Sequence, residues 1–164
     1  MKVAKIVTEG ILLGTLLVLF CAVGNRNGAV NMVFLYHQDV QDRCLESGLI
    51  TKEKIKRNMK LFKGLGIPLY FIFVLVSTYV VNGARGFWPG FWQICAILSI
   101  MNLIDRLFID EYWVGHTKAW EIPGTEDLKP YINTKDKIGK WLMGTVGFAI
   151  VCAALAGIMS LLVK

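Results

Sequence analysis

The chain has 164 residues, of which 55% are hydrophobic and only 18% charged, against roughly a quarter charged in soluble domains. The net charge is +6, but no basic stripe interleaves with aromatics on a soluble module, which excludes a nucleic-acid-binding domain. The apolar residues gather into blocks close to the ~20 residues of helix that cross a bilayer, and they lack the alternation of barrel strands.

These features predict an all-α protein. We expect one polytopic membrane domain over residues 1–164: a four-helix transmembrane bundle with amphipathic cytoplasmic helices in its first loop.

The first span covers residues 6–24 and ends at Asn25-Arg26-Asn27-Gly28. A cleaved signal peptide is the rival reading, since Lys2 and Lys5 give a basic start and Ala22-x-Gly24 resembles a cleavage site. Gly10 and Gly14 form a GxxxG, a spacing that permits close helix approach.

Ala29 to Leu45 reads as one amphipathic helix, with Val30, Val33, Phe34, Val40, Cys44 and Leu45 near one face. Ser47-Gly48 ends it. Thr51 then caps a helix carrying Lys52, Lys54, Lys56, Arg57, Lys60 and Lys63, suited to an anionic membrane surface.

The second span covers residues 65–81, with Pro68 near its start, where early helix N–H groups lack partners anyway. Asn82-Gly83 and Arg85-Gly86 make a short turn, so spans two and three form a hairpin. The third span covers residues 87–104 and continues as helix to about Val114. Phe87, Trp88, Phe91 and Trp92 form an interfacial aromatic belt at its start.

Gly115 to Lys137 is the longest irregular connection, with a turn at Pro123-Gly124 and a short helix start at Thr125. Thr134 is the expected cap of the helix that becomes the fourth span, residues 138–163. Ala149, Ala153 and Gly157 form one ridge of small residues, and Cys152, Ala156 and Ser160 another. Packing within the monomer is the expected use; a homo-oligomer face is the alternative.

Charge fixes the orientation. The first loop holds eight Lys/Arg and the third six, against Lys2, Lys5, Arg85 and Lys164 on the opposite face. By the positive-inside rule, loops one and three are cytoplasmic and both termini lie outside the cell membrane. Every acidic residue except Glu9 also falls in those two loops.

The chemistry is expected where the third span turns polar. Asn102, Arg106 and Asp110 are spaced four apart on one helix stripe, with Asp105 beside them. Ions at that depth point to function unless they merely form an interfacial salt bridge. His37 and His116 lie on the same face, near Asp39 and Asp42 and near Asp110 and Glu111 respectively. Histidine–carboxylate pairs could serve as a general base. A divalent metal site built from them has no HExxH or HxxxH to support it, so none is assigned. Nor is a cofactor: no GxSxG, Walker lysine or GxGxxG motif occurs.

Asp105, Asp110 and His116 are therefore the catalytic candidates. Arg106, Asn102, Tyr112, Trp113 and His37 are the substrate-binding candidates, with Arg106 gripping an anionic group. Tyr36, Trp120 and Tyr131 add aromatics that could wall a pocket.

The four cysteines, Cys21, Cys44, Cys95 and Cys152, include no CxxC, and read as buried small hydrophobes. The leading expectation is a small membrane protein that binds or processes a lipid or amphipathic small molecule at its cytoplasmic face. A non-catalytic subunit docking a partner membrane protein is the alternative, and a small transporter ranks third, for want of broken helices or an inverted repeat.

Overall fold

A computed structural model describes residues 2–163. The protein is 83% helical, with no strand among the described residues. Four of its helices are long and apolar enough to cross a membrane: Val3–Asn25, Lys52–Val81, Phe87–Val114 and Thr134–Leu162.

Helix α1 (Lys2–Asn25) packs parallel to α4 (Phe87–Ile104). The glycines at positions 10 and 14 make this possible. A Cβ on Gly10 would come within 2.6 Å of Ile100, and one on Gly14 would collide with Ile104. The GxxxG is thus used inside the molecule, where it lets two helix backbones approach closely and pack.

After α1 the expected single amphipathic helix is two pieces. A 3₁₀ turn covers Ala29–Leu35, and α2 covers Gln38–Glu46. The break falls at Tyr36 and His37, whose backbones are extended. Tyr36 turns inward there, and its hydroxyl donates to the Trp120 carbonyl at 2.6 Å. Gln41 Nε2 covers the Tyr36 carbonyl at 2.9 Å, so the interruption leaves that acceptor satisfied. Val33, Val40 and Cys44 are buried as the sequence pattern indicates.

Helix α3 (Lys52–Leu75) merges the basic stretch and the second span into one rod, continued by a π-helical segment over Val76–Val81. Thr51 caps it, its side chain accepting from Lys54 N at 3.3 Å. Pro68 consequently sits in the helix interior rather than near a start. Its missing N–H leaves the Gly64 carbonyl without the usual i+4 donor. At 1.5 Å per residue the 30-residue rod is ~45 Å long, well beyond a ~30 Å hydrocarbon core. The link to α4 turns through Gly83 and Gly86, at φ 64° and 76°, a region that favours glycine.

Helix α4 runs on as a π-helix over Asp105–Val114. Helix α5 (Thr134–Leu142), a π-helical segment over Met143–Gly147 and α6 (Phe148–Leu162) form the last rod. Its cap is Asn133, not Thr134: Asn133 and Asp136 exchange side-chain and backbone hydrogen bonds in a capping box. Gly144, Cys152 and Ala156 are buried, while a Cβ on Gly157 would meet nothing within 4 Å. Only one of the two small-residue ridges is therefore used for packing inside the chain.

Two apolar clusters result. One fills the bundle around Leu13, Val74, Ile94, Ile97 and Cys152. The other lies at the end where the long loops gather, around Val33, Cys44, Trp120, Ile122 and Tyr131.

Candidate functional site

The loop-end cluster is not fully packed. A cavity of about 290 Å³ lies where α1, the π-helical extension of α4, the last turn of α5 and the two loops meet. Leu17, Leu35, Phe62, Ile109, Val114 and Ile132 form apolar walls. Asp105, Arg106, Asp110 and Lys140 supply one charged side, and Tyr36, Trp120 and Tyr131 an aromatic one.

Arg106 is the hub of the charged side. Its two terminal nitrogens each donate to a carboxylate, one to Asp105 and one to Asp110. The second Asp110 oxygen accepts from Lys140 Nζ at 2.9 Å. The side chains of Arg106 and Asp110 are 13% and 11% exposed, whereas Lys140 is 39% exposed. The carboxylates and guanidinium thus lie inside, and the ammonium sits at the rim. Two cations and two anions leave the cluster neutral. Such depth is tolerable only because each ion has a partner.

The π-helical backbone bears on this geometry. Segments of this kind recur at functional sites because the wider turn re-aims side chains. Here it carries Asp105, Arg106 and Asp110 and brings all three to one cavity. Two buried donors in the lining residues, Arg106 Nε and Trp120 Nε1, have no hydrogen-bond acceptor among the described residues.

The other candidates lie elsewhere. Asn102 is buried but rests against span four, where a Cβ on Gly144 would approach its amide to 2.5 Å. Tyr112 is exposed and stacks on Phe108. Trp113 meets Trp120 edge-on, with ring centroids 5.3 Å apart, and so stands behind the wall.

The histidines occupy separate recesses. His116 Nδ1 pairs with the Glu111 carbonyl at 2.6 Å, in a hollow that also touches Asp110. His37 Nε2 pairs with Asp136 Oδ2 at 2.6 Å, not with Asp39 or Asp42. Asp39 instead accepts from Val40 N, and Asp42 from Gln38. Among the described residues no group of three His, Cys, Asp or Glu side chains could hold a metal ion.

Lys140 and Asp136 were not singled out by sequence. The available signal was that both stand near the start of span four, level with the acidic end of span three. The loop that closes the cavity is itself well bonded. Thr125 Oγ1 and Tyr131 Oη share a hydrogen bond at 2.8 Å. Burial, then the neighbouring Tyr131, pushes the Tyr36 hydroxyl well above the ordinary phenol range, so it stays a donor to Trp120. On the outer side Arg43 forks onto Asp127, and that hydrogen bonding holds the Asp127 carboxyl below its usual value.

No family model matches the chain, and no curated protein or solved structure matches it either.

Proposed function

We propose that this is a multi-pass cell-membrane protein that binds or processes a lipid or amphipathic small molecule at its cytoplasmic face, with both termini outside. The observation that carries the reading is a cavity with greasy walls and one polar side, opening where four bilayer-length helices meet their longest loops. Ligand pockets combine such walls with a few convergent polar groups. At about 290 Å³ it suits a small amphiphile or the polar end of a lipid.

The charged side narrows the chemistry. Arg106 was expected to grip an anion, but both its terminal nitrogens are committed to Asp105 and Asp110. A neutral cluster offering donors at Lys140 and acceptors at two carboxylates fits an uncharged or zwitterionic head. Acid–base work, if the ligand is turned over, falls to Asp105 and Asp110, which alone among the catalytic candidates line the cavity.

A second reading is a non-catalytic membrane subunit. The closed ion network favours it, because Lys140 joins the last rod to the Arg106-paired Asp110 of the third whether or not anything enters the cavity.

The test is native mass spectrometry of the protein extracted from its membranes, beside an Ile132→Trp variant that fills the cavity from its half-buried wall. The wild-type protein should carry one bound amphiphile more than the variant, beyond any lipid held outside the cavity. Equal occupancy in both, or none in either, would favour the subunit reading.

A further inference from the structure

We propose that the groove between α1 and α3 at the loop end binds one anionic phospholipid. In this site Lys54 and Arg57 hold the phosphate, and Val23, Leu61 and Leu65 receive an acyl chain. The site is distinct from the cavity. It rests on the bilayer reading of the four helices, not on what the cavity binds.

The groove has a volume of about 550 Å³. Lys54, Arg57, Leu61 and Leu65 fall on one face of α3 at helical spacing. The eleven steps from Lys54 to Leu65 rise ~16 Å along the axis, enough to run from a headgroup into the acyl region. The polarity changes along that rise in the order a phospholipid requires. Val23, Leu61 and Leu65 are 74%, 55% and 62% exposed, so the apolar half has no cover from the protein.

The electrostatics differ from those of the cavity. No carboxylate lines the groove. Neither Lys54 nor Arg57 makes an ion pair among the described residues. The nearby amides are already engaged, Asn58 donating to the Asn31 carbonyl and Asn31 to the Asn27 carbonyl, both at 2.9 Å. Two unopposed cations at the mouth of an uncovered apolar trough complement a lipid that carries a phosphate and a net negative charge.

One residue divides the two sites. Phe62 lines both the groove and the cavity, and its ring is fixed against Phe20 and Phe34 with centroids 5.9 and 5.5 Å away.

The test uses the full chain in mild detergent, titrated with phosphatidylglycerol or phosphatidylcholine of matched chains and read by native mass spectrometry. One phosphatidylglycerol should bind in preference to phosphatidylcholine. Lys54→Gln with Arg57→Gln should weaken it by about tenfold or more, given two cations near the headgroup. Lys52→Gln with Lys56→Gln removes the same charge from exposed positions outside the groove and should change binding less than about twofold. Inorganic phosphate should not displace the lipid, because it leaves the apolar half unfilled.

Equal losses from the two double variants would reduce the effect to diffuse attraction and overturn the site. So would equal binding of both lipids, or displacement by phosphate. Release of the protein from membranes by alkaline carbonate would instead overturn the bilayer reading itself.

Discussion

Lys140 Nζ lies 2.9 Å from Asp110 Oδ1, joining the last rod to the end of the third across 30 residues of chain. Asp110 passes the link to Arg106, and Arg106 passes it to Asp105. Removing different members of this chain should have unequal effects. Arg106→Ala leaves two largely buried carboxylates without their guanidinium, and should lower unfolding stability in detergent by about 3–5 kcal/mol. Lys140→Gln removes a rim cation and should cost under about 1 kcal/mol. Thermal or denaturant unfolding monitored by circular dichroism reads both, and equal losses would refute the hub assignment.

The α1–α4 contact gives a sharper steric expectation. Gly10→Leu or Gly14→Leu drives a side chain into Ile100 or Ile104 and should destabilise the bundle by about 1–3 kcal/mol. Gly157→Leu, with nothing within 4 Å of the added Cβ, should be neutral or slightly stabilising. Comparing unfolding midpoints of the three variants checks it.

Acid should loosen the loop over the cavity before it unfolds the bundle. The Arg43 hydrogen bond lowers Asp127 from 3.8, and backbone N–H groups at 126 and 124 lower Glu126 from 4.5. A carboxyl whose folded value is depressed stabilises the fold above its unfolded value and stops doing so as pH falls through the folded one. Protection against hydrogen exchange in residues 121–131, taken relative to the intrinsic rate at each pH, should therefore fall selectively as pH drops below those usual values, and Arg43→Gln should abolish the Asp127 part.

Orientation is testable with single cysteines on a cysteine-free background. Ser47→Cys and Arg85→Cys both place a thiol at exposed positions, on opposite ends of the bundle. A membrane-impermeant maleimide should label Arg85→Cys in intact cells and Ser47→Cys only after lysis. The reverse pattern would invert the topology and move the cavity outside.

Much of the architecture is written in the order of residues, and particular positions show where that ends. The span cores were readable because a run such as Ile94 to Ile104 has no polar interruption beyond Ser99 and Asn102. The helix after Thr51 is legible from its cap, but its continuity with the second span is not, because hydropathy separates Lys52 to Lys63 from the apolar run while the backbone passes through unbroken. The Tyr36 break was invisible because its cause is a hydroxyl reaching Trp120, 84 residues away.

The Arg106–Asp110 pair followed from spacing alone, since i and i+4 meet on any helix. The partner of His37 did not: Asp136 is 99 residues distant, and only the fold brings it there. Asn102 shows the converse error. It shares the right stripe by spacing, yet a glycine on span four takes up its amide face.

The short Gly83–Gly86 link bears on how the protein is made. Rods two and three are joined by so short a link that they can pair while the fourth is still being synthesised. At that moment Asp110 already has Arg106, but Lys140, Tyr131 and Ile132 do not yet exist. The cavity is therefore finished last, by the C-terminal third of the chain, and a chain cut short before Tyr131 would leave the hollow open on that side.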